Sequence, residues 1–230
     1  MDLSILYEDD DLVAVDKPAG LVTHSDGRTE EATAEDWFKK TYPQAKGSYT
    51  HRLDRDASGV LVFAKTKEAH EFLRKAFTDR AVKKTYLAFV YGVPKEKKAV
   101  IAFDIGRSRR DFRLRSAQPK AKGRLRAAST SYEVLGVSGD CALLRVSPET
   151  GRTHQIRVHL KAIHHPIVGD KLYSPNRPPA LGIDRLGLHA YSLDLPLLAG
   201  GRTLITAPVP GDLAPALSHF SGAKERFALS

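Results

Sequence analysis

The stretch Thr50-His51-Arg52-Leu53-Asp54-Arg55-Asp56-Ala57-Ser58-Gly59 sets a carboxylate, Asp54, between two arginines and just before a Ser-Gly turn. The apolar run Val60-Leu61-Val62-Phe63-Ala64 follows at once and reads as a buried strand. An Arg-x-Asp-Arg run is commonly a salt-bridged surface turn. An arginine beside a carboxylate also favours its ionised form, and an ionised carboxylate serves as nucleophile or base. At the mouth of a strand, flanked by positive charge, such an acid suits chemistry on an anionic substrate.

Two more clusters carry reactive or phosphate-pairing groups. In Lys83-Lys84-Thr85-Tyr86-Leu87-Ala88-Phe89-Val90-Tyr91-Gly92, a strand puts Lys84, Tyr86 and Ala88 on one face. A tyrosine there is ordinarily a half-buried structural residue, but it can also stack on a base or exchange a proton. In Gly151-Arg152-Thr153-His154-Gln155-Ile156-Arg157-Val158-His159, a helix from about residue 154 sets Arg157 and Lys161 on one face at i, i+4. Arg152, His154 and Arg157 are groups that pair with phosphate. Zinc is the competing idea for His154, His159, His164 and His165, but the spacing does not fit a helical His-x-x-x-His pair and no Glu lies between them. No metal is expected. The chain has neither a Gly-rich nucleotide loop nor a Gly-x-Ser-x-Gly elbow, so nothing calls for a cofactor.

The elements that must position these groups are legible in outline. Residues 5–7 and 12–15 read as two short strands around an acidic turn, followed by the Lys17-Pro18-Ala19-Gly20 turn. Thr33 can cap a helix to about Tyr42, and Thr66 a second with Ala69, Phe72, Leu73, Ala76 and Phe77 at helical spacing. Strands are expected at 59–64, 86–91, 129–137, 141–147, 188–193 and 203–206, with a short helix over 154–163. Strands outnumber helices and often follow one another directly. That predicts an α+β fold with a mixed, mainly antiparallel central sheet, flanking helices and loops, in a single domain over residues 1–230.

Charge points to the partner. The chain is 230 residues with a formal net charge of +9, and 42% of it is hydrophobic, enough to bury a core. Residues 95–126 alone hold 12 Lys/Arg against 3 Asp/Glu, while residues 1–51 are net −6. Such a patch attracts polyanions, nucleic acid first and an anionic membrane second, and is otherwise a solvated loop. Arg107, Arg109, Arg110, Arg113 and Arg115 are its expected nucleic-acid contacts. The one cysteine, Cys141, excludes an internal disulfide and a Cys-rich zinc site and fits a reducing cytoplasm. The start of the chain lacks signal-peptide character, and no apolar run approaches the roughly 20 residues of a membrane span. A monomer that does not engage membranes is the expectation.

Taken together, these segments resemble the RluA-type family of RNA pseudouridine synthases. The resemblance rests on His-Arg-Leu-Asp with Ser-Gly at 51–59, Lys-x-Tyr…Gly at 84–92 and residues 151–159, in that order. It extends to Lys17-Pro18-Ala19-Gly20-Leu21, His165-Pro166-Ile167-Val168-Gly169-Asp170 and Leu188-His189-Ala190, and so covers nearly the whole chain. It implies a cofactor-free isomerase acting on uridine in tRNA or rRNA, in the compact form lacking the small N-terminal RNA-binding module of some relatives. By the same resemblance Asp54 is the catalytic aspartate, Arg157 its ion-pair partner and Tyr86 the residue that stacks on the uracil. Arg52 fills the gap left by a flipped base, and His51, Lys84, Arg152 and His154 are carried over as RNA-binding residues. Ala57 departs from the family pattern, which has Thr there, so local hydrogen bonding is expected to be lost and catalysis kept. The alternative is a catalytically silent RNA-binding or RNA-chaperone protein of the same fold.

Overall fold

Thr33 and Thr66 open the two N-terminal helices, each with its hydroxyl accepting a backbone N–H three residues on, from Asp36 and Ala69 respectively. Asp36 returns the bond to the Thr33 backbone N–H, which completes a capping box. The computed structural model describes residues 1–25, 27, 31–109, 111, 114–117 and 121–221, with the backbone alone at Lys122. Arg110 and Arg113 lie outside the described residues.

In chain order the elements are β1 (Ser4–Glu8), β2 (Leu12–Lys17), α1 (Ala34–Thr41), β3 (Ser58–Ala64), α2 (Lys67–Thr78) and β4 (Lys83–Tyr91). Next come β5 (Lys98–Ile101), β6 (Ile105–Ser108), β7 (Arg115–Ala117) and β8 (Ala121–Arg126). The last are β9 (Thr130–Ser138), β10 (Cys141–Pro148), α3 (Gln155–Ala162), β11 (Leu188–Pro196), β12 (Arg202–Thr206) and α4 (Ala214–Leu217). They make an α+β protein with a mainly antiparallel sheet, as the sequence predicts.

The chain falls into two compact units. The first is Met1–Lys84 with Ala190–Pro208, and the second is Thr85–His189 with the chain from Val209 onward.

In the first unit β1, β2 and β3 form an antiparallel ladder, and β11 pairs antiparallel with β12. All seven residues of β3 are buried, because its two faces are covered by different partners. Val60, Val62 and Ala64 join Ala69, Leu73 and Ala76 of α2 in one apolar cluster. Phe63 points the other way and stacks on Phe38 of α1, ring centroids 4.8 Å apart. A strand with both faces covered reads as an unbroken apolar run, which is why residues 60–64 show no alternation.

In the second unit β4 pairs with β10, β10 with β9 and β9 with β5, all antiparallel. The basic segment folds into a separate three-stranded sheet in the order β7-β6-β8. Ile105, Ala117 and Ala128 pack there with Val158 of α3 and Tyr173.

Candidate functional site

Asp54 is half-buried in the loop before β3, and the backbone on both sides of it is held by residues far earlier in the chain. Thr23 Oγ1 accepts the Leu53 N–H at 3.2 Å and donates to the Leu53 carbonyl at 3.0 Å. The Arg55 carbonyl accepts the Gly20 N–H at 2.9 Å and the Lys17 ammonium at 3.1 Å. Lys17 is fully buried, and its Nζ also donates to the Pro18 and Leu21 carbonyls, both at 2.8 Å. A buried ammonium is costly unless its donors are satisfied, and carbonyl acceptors meet that need here. The Lys17–Leu21 turn is therefore a brace for the Asp54 loop. Gly20 takes φ +85°, a left-handed conformation that favours glycine.

Local contacts finish the loop. The Ala57 N–H donates to the Asp54 carbonyl at 3.2 Å, so a backbone bond closes this turn without a side chain at position 57. Gly59 is required by space: a Cβ there would lie 2.2 Å from the Ala190 carbonyl oxygen. Arg55 turns away from a tuning role, pairing with Glu31 at 2.8 Å and donating from Nε to the Gly20 carbonyl at 3.1 Å. Arg52 is exposed.

His51 and Lys84 come together beside this loop. His51 Nε2 accepts the Val62 N–H at 3.1 Å, and its ring stacks on Phe77 at 4.7 Å. Burial, with the nearby Lys84 charge second, pushes the His51 pKa down to about 3. Burial and then the Arg80 charge bring Lys84 down to about 8. The stability consequence has a definite sign. Between pH 6.5, the ordinary value, and about 3, the unfolded chain takes up a proton that native His51 refuses. Unfolding free energy therefore falls as pH falls through that window. His51→Gln keeps an acceptor for the Val62 N–H and removes the titration. Urea denaturation across the window should show a slope shallower by up to about 1.4 kcal/mol per pH unit. Superimposable wild-type and variant slopes would remove His51 from the acid response.

The second unit carries Tyr86 and Arg157. Tyr86 is buried in β4 opposite Val146 of β10. Arg157 projects from α3 and is 4% exposed. Its Nε and Nη2 each donate to Asp170 at 2.8 Å, a two-pronged bond. Asp170 Oδ1 also accepts the Leu172 and Tyr173 N–H groups, both at 3.0 Å. Arg157 and Lys161 do share a face: their cationic groups lie 5.0 and 5.5 Å from the Tyr173 ring centroid. The helix begins at His154, whose φ of 56° is left-handed and whose Nδ1 lies 2.9 Å from the Tyr173 hydroxyl. Arg152 is half-buried, and its Nε donates to the Ala127 carbonyl at 3.1 Å.

The other histidines named as zinc candidates scatter. His159 is core, with Nδ1 at the Thr130 hydroxyl and Nε2 at the Phe103 carbonyl, both 2.9 Å. Burial, only partly offset by the bond to Phe103, lowers its pKa. His165 Nδ1 lies 3.1 Å from the Tyr91 carbonyl. Arg107 and Arg109 are exposed in and just after β6, and Arg115 is half-buried on β7 across from Arg107.

The model of the family described as RNA pseudouridylate synthase matches residues 11–162. The chain belongs to this family. The dual-specificity RNA pseudouridine synthase RluA of Escherichia coli is 37% identical, over 91% of this chain and 94% of the relative. An uncharacterized RNA pseudouridine synthase of Mycobacterium bovis is 40% identical, over 96% of this chain and 73% of the relative. Ribosomal large subunit pseudouridine synthase D of Nitrosomonas europaea is 41% identical, over 94% and 64%. Among solved structures, human RNA pseudouridylate synthase domain containing 4 superposes with a TM-score of 0.77 at 27% identity, covering 94% of this chain and 92% of its own.

Membership makes this pseudouridylate synthase an RNA isomerase. Asp54, Tyr86 and Arg157 all fall inside the matched span, whereas Asp170 and Tyr173 lie beyond it. Those two, with Thr23, are neighbours of candidate groups that reasoning from sequence did not pick out. Asp170 ends a segment that carries the resemblance, but nothing in the linear chain says that its carboxylate faces Arg157.

Proposed function

We propose that this chain converts specific uridines of structured RNA to pseudouridine, in tRNA, in large-subunit rRNA or in both, as a cytoplasmic monomer. The reaction breaks the C1′–N1 bond, turns the uracil and joins C1′ to C5. The proton on C5 is given up and N1 gains one, so the change is an isomerisation with no net oxidation. Asp54 supplies the carboxylate at the sugar or the base, paired with Arg157. Tyr86 offers its ring to the uracil. Arg52, exposed beside Asp54, enters the stack when the uridine leaves it, offsetting part of the few kcal/mol that extrusion costs.

The observation that carries this reading is the brace on the Asp54 loop. A carboxylate whose two neighbours are both tied down by backbone bonds is held ready for one position in space. The dual-specificity and large-subunit relatives support the substrate class. Mapping pseudouridines in total RNA from a deletion strain, then restoring each missing site in vitro with purified protein, tests it. Loss of no site in either RNA class would overturn the substrate assignment.

Arg107, Arg109 and Arg115, together with His51, Lys84, Arg152 and His154, make up the proposed RNA-contacting set. Arg107 is exposed in the small basic sheet and Arg109 is exposed just after its strand β6. Replacing Arg107, Arg109 and Arg115 by alanine should lower the slope of log affinity against log salt by about 2 to 3. Filter binding over a range of potassium chloride reads that slope, and an unaltered value would return the segment to a solvated surface.

A further inference from the structure

We propose that Tyr173 is a positioning residue that locks the basic three-stranded sheet onto helix α3, fixing the RNA-facing arginines relative to Arg157. The proposal rests on the reading of Arg157 and the sheet as parts of an RNA-modifying site.

Tyr173 is 4% exposed, and both ends of its side chain are engaged. The hydroxyl accepts the Arg115 backbone N–H at 2.9 Å. The same hydroxyl lies 2.9 Å from His154 Nδ1, within hydrogen-bond distance. The strand order explains why Arg115 needs this partner. β7 is an edge strand, and the Ser108 N–H bonds the Leu114 carbonyl, so at the Arg107–Arg115 pair the Arg115 N–H points away from β6. The ladder gives this edge donor no partner, and the Tyr173 hydroxyl accepts it.

The ring does different work. It lies under the Arg157 and Lys161 cations, and His154 meets it edge-on at 5.6 Å and 84°. The Tyr173 N–H bonds Asp170 Oδ1, the same oxygen that takes Arg157 Nη2. One residue thus touches the strand bearing Arg115, the strained left-handed start of α3 and the carboxylate that orients Arg157. Phenylalanine would fill the same volume among Ile105, Ala117, Ala128 and Val158. The hydroxyl is therefore the joint, and the ring is the support for Arg157.

Tyr173→Phe and Tyr173→Leu separate the two. The Phe variant should weaken RNA binding by about tenfold as the hydroxyl's hydrogen bonds are lost, a larger effect than on the single-turnover rate at saturating RNA. The Leu variant should also lower that saturating rate by at least about tenfold, as Arg157 loses its support. Exchange of the Arg115 amide, followed by nuclear magnetic resonance, should quicken by at least about tenfold in the Phe variant while β10 amides hold. Quickened Arg115 exchange with unchanged RNA affinity would overturn the proposal, as would a lowered melting temperature as the sole change in both variants. Wild-type protein inactive on every RNA would sink the functional reading instead, and Arg115 exchange with RNA affinity would still decide the joint.

Discussion

Asp54→Asn should lower the single-turnover rate of pseudouridine formation by roughly 10⁴-fold, the scale of losing a catalytic carboxylate, and leave the melting temperature within a few degrees of wild type. The substitution keeps shape and removes charge. The loop is braced through the backbone of Asp54 and its neighbours. The bracing bonds run through the Thr23 hydroxyl to Leu53, through Lys17 and Gly20 to the Arg55 carbonyl, and from the Ala57 N–H to the Asp54 carbonyl. RNA binding should persist, since the arginines of the basic sheet lie elsewhere in the chain. Turnover within about tenfold of wild type would remove Asp54 from the chemistry and favour a binding protein that keeps the fold.

Asp170→Ala should cost about 3–5 kcal/mol of stability, because it removes the two-pronged carboxylate partner of a guanidinium that is almost wholly buried. The Leu172 and Tyr173 N–H groups would lose their acceptor in the same step. For a chain of this length that corresponds to a fall in melting temperature of about 6–20 °C. The double variant Arg157→Met, Asp170→Leu should recover much of that loss, since replacing both members of a buried pair by apolar groups is often close to neutral. It should remain inactive, having lost Arg157. Urea denaturation of the three proteins decides the matter, and an Asp170→Ala cost below about 1 kcal/mol would show that solvent reaches Arg157.

How far the linear chain carried the argument depended on the reach of each interaction. Thr33 and Thr66 cap bonds three residues away, so short-range spacing was enough to place both helix starts. The i, i+4 relation of Arg157 and Lys161 held for the same reason. The three-stranded basic sheet escaped notice. Its strands are three to six residues long and rich in Arg, Ser and Gly, so no apolar alternation marks them. Charge marked the segment as one that attracts polyanions but did not give its shape.

Residue type and order alone determined the reactive inventory: one acid before a buried strand, a tyrosine on the next long strand, an arginine on a short helix and a concentrated basic run. They also determined the family, because ordered motifs carry that information without coordinates. Only the tertiary structure decided what holds those groups in place. The Lys17 bond to Arg55 spans 38 residues, the Thr23 bonds to Leu53 span 30, and the Tyr173 bond to Arg115 spans 58. Partners that distant are chosen by which backbones the fold brings within about 3 Å, a range set by hydrogen-bond geometry. Propensity, periodicity and charge counting do not extend that far.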